Sequence, residues 1–73
     1  MIVKVESGGH ESFYEGNTVG FHPRVPETAT QKDAVILVVE GRKNSITVEI
    51  ERESGTFVFV MNDAGRTIDK KYF

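Results

Sequence analysis

The chain has 73 residues, no cysteine and a formal net charge of −2, from nine Lys/Arg against eleven Asp/Glu. A chain of this length forms one small domain that buries only about 60% of its unfolded surface. Lack of cysteine excludes disulfides and thiolate metal sites, and the balanced charge is not typical of a protein that binds nucleic acid or an anionic membrane.

The apolar residues of the chain are spread along it rather than gathered in one run. No run approaches the ~18 residues of a membrane span. The amino terminus enters a strand pattern without the basic and apolar regions of a secretory signal. We therefore expect no membrane partner and a cytoplasmic location. A marginal core without disulfides or metal is commonly supported by self-association, so we also expect a homo-oligomer.

Residues 1–22 predict two consecutive β-hairpins. The three strands are expected at Met1–Glu6, His10–Glu15 and Thr18–His22. Gly8-Gly9 is a two-residue hairpin signal, and Gly16-Asn17 offers a second turn because both residues tolerate positive φ. Tight pairing at these turns sets Val3 opposite Tyr14, Val19 opposite Tyr14 and Phe21 opposite Ser12. It gathers five apolar residues on one face: Val3, Val5, Tyr14, Val19 and Phe21.

Residues 23–33 show no convincing hydrophobic period. Pro23 lacks an N–H and restricts His22, so we expect the third strand to end there. The polar run that follows is compatible with an irregular loop or with one helical turn beginning near Pro26. Long irregular segments in compact domains are often functional or mobile.

The segment from residue 34 to 73 predicts a β-meander, and its first part, Ala34 to Asn62, carries the strongest signal in the chain. Three antiparallel strands are separated by turns at Gly41–Ser45 and Ser54-Gly55. A tight second turn pairs Ile50 with Phe59 and Val48 with Met61. The expected core face contains nine apolar residues, whose burial at ~25 cal/mol per Å² can supply most of the hydrophobic stabilisation: Val35, Leu37, Val39, Ile46, Val48, Ile50, Phe57, Phe59 and Met61.

A last strand is predicted at Thr67–Phe73, after a turn at Asp63–Arg66. Its register stays open between a two-residue turn and a three-residue bulged turn. Six to seven short antiparallel strands within residues 1–73 define an all-β fold with the meander as its core. The architecture is a small, partly open barrel or a two-sheet sandwich, SH3-like or OB-like in size, and we favour the barrel.

Catalytic chemistry finds little support in the sequence. There is no nucleophile elbow and no serine with an evident base. His10, Glu11 and His22 would approach one another in the tight register, as a weak metal site or an acid/base pair would require, but a structural role is the stronger interpretation. We therefore predict no enzymatic activity, no catalytic or metal-binding residues and no cofactor.

The reverse face of the meander is the first candidate for a binding site. It combines apolar side chains with carboxylates, and open strand edges flank it. Either the amino-terminal strands cover this face or another protein binds there, with the carboxylates supplying charge complementarity. The candidate residues are Ile36, Val38, Glu49, Glu51, Val58 and Val60. We therefore predict a non-enzymatic domain that acts by protein–protein binding.

The short length of the chain suggests a role within that class. Stand-alone β-rich chains of this size are often accessory proteins of phage or mobile elements, so an inhibitor or regulator of a host protein is expected. The alternative is a small β-barrel that binds single-stranded nucleic acid through aromatic rings and cations. Its candidate contacts are Phe13, Arg42, Lys43, Arg66, Lys70 and Lys71. Nucleic acid is disfavoured because most aromatic residues are expected in the core and the cations in turns.

Overall fold

The computed structural model describes residues 1–73 and contains seven β-strands and no helix. The strands are β1 (Ile2–Ser7), β2 (His10–Glu15), β3 (Thr18–Arg24), β4 (Ala34–Glu40), β5 (Ser45–Glu51), β6 (Phe57–Met61) and β7 (Thr67–Tyr72). They form a four-stranded sheet in the order β2-β1-β6-β7 and a three-stranded sheet in the order β3-β4-β5. The all-β prediction is confirmed, and of its two architectures the unclosed pair of sheets is found. None of the elements is an apolar helix of membrane-spanning length.

The first hairpin has the register predicted from its glycine turn. Val3 lies opposite Tyr14, and Glu6 lies opposite Glu11. Gly8 and Gly9 adopt φ values of 57° and 82°. Positive φ at both central residues is the requirement of the two-residue turns whose twist matches that of the strands. This local turn chemistry therefore sets the pairing of β1 with β2.

The second predicted hairpin does not form, because the chain changes sheets at Gly16 and Asn17. The Gly16 N–H donates at 3.0 Å to the carbonyl of Met1, the residue before β1 of the four-stranded sheet. The Asn17 N–H donates at 2.7 Å to the carbonyl of Glu40 at the end of β4 in the three-stranded sheet. β3 therefore pairs with β4, where Val19 lies opposite Val39. The predicted pairs of Val19 with Tyr14 and of Phe21 with Ser12 are wrong.

Pro23 does not end the third strand. It lies within β3 opposite Val35, and the strand continues to Arg24. β3 is an edge strand, where a missing N–H is tolerated because one side of the strand has no neighbour. The following segment, residues 25–33, is irregular and contains a turn in which the Gln31 N–H donates to the carbonyl of Thr28, so no helical turn forms at Pro26.

The predicted meander is correct for the pairing of β4 with β5 and of β6 with β7, but β5 does not pair with β6. β4 and β5 pair in the predicted sense, with Val35 opposite Ile50. β6 instead leaves for the other sheet and pairs with β1, which sets Val60 opposite Val3. The predicted pairing of Ile50 with Phe59 is therefore wrong, and so is that of Val48 with Met61. The connection from β5 to β6 turns through left-handed backbone at Glu53 and Gly55 instead of closing a tight hairpin.

The hydrophobic core lies between the two sheets. Its seven clustered side chains come from β1, β4, β5 and β6: Val3, Val5, Leu37, Val39, Ile50, Val58 and Val60. Side chains alternate across a strand, so burial of Val58 and Val60 turns Phe57, Phe59 and Met61 to the opposite face. The predicted core face is wrong for β6, and Ile46 at the start of β5 is 37% exposed.

The last strand follows a turn closed by Asn62, whose side-chain oxygen accepts hydrogen bonds from the N–H groups of Ala64 and Arg66. A register shift between Val60 and Met61 marks a β-bulge in the pairing of β6 with β7. Beyond the bulge Lys70 lies opposite Phe59 and shares its face. The bulge therefore settles the register that the sequence leaves open.

The change of sheets at Gly16 gives a first testable prediction. A Cβ added at Gly16 would lie 2.7 Å from Cγ1 of Val39 and 2.8 Å from the carbonyl oxygen of Glu40, both parts of a packed strand. We expect Gly16→Ala to lower the free energy of unfolding by about 1–3 kcal/mol, as other overpacking changes do. Chemical denaturation of the purified protein measures this change.

Gly41→Ala is the matched control for that substitution. Its added Cβ would meet only the Asn44 carbonyl oxygen at an ordinary 3.6 Å. A glycine replaced without strain usually gains about 0.4–1 kcal/mol through the unfolded state. Equal stability of the two variants would contradict the close packing at Gly16.

Candidate protein-binding surface

The outer face of the three-stranded sheet holds part of the binding face predicted from the sequence. The residues found there are Ile36, Val38, Glu49 and Glu51. Val58 and Val60 are only 0% and 5% exposed in the core, so their placement on this face is wrong. They are displaced because β6 pairs with β1 rather than with β5. No amino-terminal strand lies over the face, since β3 joins the same sheet beside β4.

Glu49 is already paired with a cation of its own chain. Its carboxylate lies 2.6 Å from Nη1 of Arg24, and the ion pair spans β4 from β3 to β5. Nη2 of the same guanidinium donates to the carbonyl of Lys32 at 2.8 Å, which fixes Arg24 against the irregular segment. Most of the charge that Glu49 could offer a partner is therefore neutralised locally.

The histidines are not brought together with Glu11. His10 and Glu11 are on β2, whereas His22 is on β3 in the other sheet. The proximity expected from a tight second hairpin is wrong, because that hairpin does not form. The side chain of His22 instead lies along β3. Its Nε2 is 2.9 Å from the position that a Cβ would occupy if one were added to Gly20. No group of three or more metal-ligating side chains occurs in the chain.

The outer face of the four-stranded sheet carries the other chemically distinctive surface. One row across its four strands reads Phe13, Lys4, Phe59 and Lys70. The neighbouring row reads Glu11, Glu6, Phe57 and Tyr72. We name as the aromatic face the rings and lysines of these two rows: Lys4, Phe13, Phe57, Phe59, Lys70 and Tyr72.

Three of the four rings of the aromatic face, and both of its ammonium groups, are in direct contact, whereas Phe13 lies across β1 from them. The Phe57 and Phe59 centroids are 6.1 Å apart, and those of Phe57 and Tyr72 are 4.5 Å apart. Nζ of Lys4 lies 4.5 Å from the centroid of Phe59, and Nζ of Lys70 lies 5.5 Å and 5.4 Å from those of Phe57 and Phe59. Such cation–π contacts contribute about 0.5–1 kcal/mol each at exposed sites. They hold the rings in a fixed arrangement on the sheet.

Much of this apolar surface remains open to solvent. The exposed fractions of Phe13 and Tyr72 are 60% and 66%, and Phe57 and Phe59 are half-buried. Single exposed apolar residues are common, but adjacent exposed rings on one sheet face are typical of interaction sites. Aromatic residues are also enriched in the centres of protein interfaces.

The charges around the rings are unevenly distributed. Glu6 and Glu11 lie opposite each other on β1 and β2, and Glu15 shares their face. Lys4 is the cation among them, and its Nζ lies 3.9 Å from a carboxylate oxygen of Glu6. The β1–β2 half of the surface is therefore acidic, whereas Lys70 marks the β7 side.

The nucleic-acid contacts predicted from the sequence do not share one surface. Phe13 and Lys70 lie on the aromatic face, so the expectation that cations avoid exposed rings is wrong for Lys70. Arg42 and Lys43 lie in the turn between β4 and β5, and Arg66 lies in the turn before β7. Lys71 lies on the inner side of β7, with Nζ 5.1 Å from the centroid of Phe21 in the other sheet.

Four residues of this surface were not predicted from the sequence: Lys4, Phe57, Phe59 and Tyr72. β6 alternates aromatic and aliphatic residues, so both of its faces are apolar and the period alone cannot say which is outside. The signal that could have assigned the faces of β6 lies in β1. Its Val3 and Val5 have the same size and the same spacing as Val58 and Val60, to which they are paired.

Comparison of the chain with protein-family models, with curated proteins and with solved structures found no match. The chemistry of the surface therefore rests on the residues of this chain alone.

The Arg24–Glu49 ion pair gives the second prediction. We expect Glu49→Gln to lower the free energy of unfolding by about 0.5 kcal/mol, since an ion pair that is partly open to solvent contributes little more than that. The loss should shrink at high salt, which screens the pair in the unmodified protein. Denaturation at two salt concentrations measures both effects.

Glu51→Gln is the control for that experiment, because Glu51 has the same outer-face position on β5 and makes no ion pair. Its stability should stay within a few tenths of a kcal/mol of the unmodified protein. An equal loss in both variants would show that the pair itself contributes nothing.

Proposed function

We propose that this protein is a non-enzymatic binding domain that docks another protein on the aromatic face. The observation that carries the proposal is the contacting cluster of Phe57, Phe59 and Tyr72 outside the core. Tyr72 is more than half exposed, and so is Phe13, which lies on the same face across β1 from Phe59. Burial of such rings is a large source of binding free energy at protein interfaces. The rings lie on paired strands, so little conformational entropy is lost when they are covered.

The charges of the surface define the partner's chemistry. An apolar centre at Phe57 and Phe59 is bordered on one side by Glu6 and Glu11. A complementary surface presents apolar side chains in its centre and Lys or Arg facing the acidic border. The partner we propose is therefore a protein with a basic-apolar patch. This moves the site from the outer face of the three-stranded sheet, where Glu49 is neutralised by Arg24.

The proposed role is regulation or inhibition by occlusion. A domain without a catalytic constellation acts through what it covers, and a rigid sheet face is suited to covering a flat surface of its partner. An accessory protein of phage or mobile-element type, located in the cytoplasm, remains our prediction for the setting of this role.

Capture from a lysate of the source organism, followed by titration calorimetry with the purified captured protein, tests the proposal. We expect a Phe13→Ser/Tyr72→Ser variant to bind that partner at least about tenfold more weakly, because exposed aromatic anchors dominate interface energies. Both side chains are exposed, so circular dichroism should show an unchanged fold.

Val25→Ser is the matched control, since Val25 is 79% exposed and lies in the irregular segment away from the aromatic face. It should bind as the unmodified protein does. A Glu49→Lys/Glu51→Lys variant tests the other sheet in the same way. A partner lost only by that variant, and kept by the double serine variant, would place the site on the three-stranded sheet and refute the proposal.

Single-stranded nucleic acid is the second candidate, favoured by the alternating row of Phe13, Lys4, Phe59 and Lys70. Proteins that bind single strands stack bases on aromatic rings and hold phosphates with nearby cations. The carboxylates of Glu6 and Glu11 border the same row and repel a phosphate backbone. The balance of charges therefore favours the protein partner.

Fluorescence anisotropy with short labelled DNA and RNA oligonucleotides separates these two functions. We expect no saturable binding below about 100 µM at physiological salt, since few phosphates can be neutralised at this surface. Micromolar binding that is lost in Lys4→Ala/Lys70→Ala and kept in Arg42→Ala/Lys43→Ala would instead establish the nucleic-acid function on the aromatic face.

A further inference from the structure

The three-stranded sheet ends in an open edge at β5. The Arg52 N–H donates to the carbonyl of Asp33, and the Gly41 N–H donates to that of Asn44. Arg52 with Asp33, and Asn44 with Gly41, therefore occupy hydrogen-bonded positions just beyond the two ends of the β4–β5 ladder. Backbone groups alternate in direction along a strand, so those of Ile46, Val48 and Ile50 face β4. The N–H and C=O groups of Ser45, Thr47, Glu49 and Glu51 therefore point away from the sheet.

The other edge strands carry features that discourage pairing with another chain. β3 contains Pro23, which cannot donate a hydrogen bond. β7 has a bulge beside Met61 and turns the charged Lys71 inward. β2 has no β-branched residue. β5 has neither proline, lysine nor bulge, and alternates β-branched apolar residues with polar ones over its whole length.

We propose that β5 pairs antiparallel with β5 of a second copy of this chain, about a two-fold axis at Val48. In this register Thr47 lies opposite Glu49 of the second copy, and Ser45 lies opposite its Glu51. These are the residues whose backbone groups point outward, so every outward N–H and C=O of the strand meets a partner. The two three-stranded sheets then form one continuous six-stranded sheet, about twice the width.

The side chains of β5 are complementary to themselves in this register. On the inner face Val48 meets Val48 of the second copy, and Ile46 meets its Ile50, which covers the 37% exposed Ile46. On the outer face each carboxylate meets a hydroxyl, with no two carboxylates directly opposed. An axis at Glu49 would instead set two Glu49 carboxylates against each other, which is unfavourable on a sheet.

The proposed dimer is separate from the binding function, because the aromatic face lies on the other sheet. A seven-residue strand contact buries less surface than a standard interface. We therefore expect a dissociation constant on the order of 10 µM. Loss of the dimer and loss of partner binding can be measured independently, so either can fail alone.

Sedimentation velocity over a concentration series, together with disulfide trapping, tests the proposal on the full chain. Val48→Cys places its thiol at a non-hydrogen-bonded pair, where Cα atoms about 4.5 Å apart suit a disulfide. We expect a covalent dimer on mild oxidation. Thr47→Cys is the control, because its two Cα atoms would be about 8 Å apart and beyond reach of a disulfide. The chain has no cysteine of its own, so no other crosslink can form.

Two charge variants at the exposed residue Thr47 provide a second measurement of dimerisation that needs no crosslink. Thr47→Glu sets Glu opposite Glu49 twice per dimer and should weaken dimerisation about tenfold, whereas Thr47→Lys sets opposite charges together and should preserve it. A protein that stays monomeric at 100 µM overturns the proposal. So does a dimer that Thr47→Glu leaves intact, or one in which Val48→Cys does not crosslink while Thr47→Cys does.

Discussion

The pairing of β1 with β6 is the constraint on which the rest of the structure depends. It sets Val3 opposite Val60 and Val5 opposite Val58, and it joins residues more than fifty positions apart. Because side chains alternate with a period of two, this pairing decides both faces of β6 at once. It buries the valines and turns Phe57 and Phe59 outward. It also removes β6 from the neighbourhood of β5, which leaves the β5 edge without a partner strand.

Burial of Val58 and Val60 in the core places the aromatic rings of β6 outside it, so the fold loses part of the stabilisation that burying those rings would give. Complete burial of an aromatic side chain contributes about 1.5–3 kcal/mol, so half-buried rings leave part of that stabilisation unused. Contacts between Phe57, Phe59 and Tyr72, and the ammonium groups of Lys4 and Lys70 above them, recover a fraction of it. The remainder is released when another surface covers the rings, which is the physical basis for a binding function at this face.

Local chemistry made part of this fold predictable from the sequence. The Gly8-Gly9 turn and the shared apolar face of β4 and β5 follow from short-range patterns and are correct. The sheet change at Gly16 depends on hydrogen bonds to Met1 and Glu40, which no local pattern contains. The faces of β6 could not be assigned, because that strand is apolar on both sides. Assigning its two faces the wrong way round placed Val58 and Val60 on a surface and Phe57 and Phe59 in the core, so the aromatic face was not predicted.

The two proposed surfaces are compatible because the sheets divide them. A dimer joined through β5 would extend the three-stranded sheet and leave both copies of the aromatic face free on the other one. Two linked sites bind a partner that is itself dimeric or repeated more tightly than either site alone, with no additional contact. A weak dimer is sufficient for this gain, since the first partner contact raises the local concentration of the second copy. Self-association would then contribute to the affinity for such a partner, and Thr47→Glu, which weakens the dimer, would weaken binding without touching an aromatic ring.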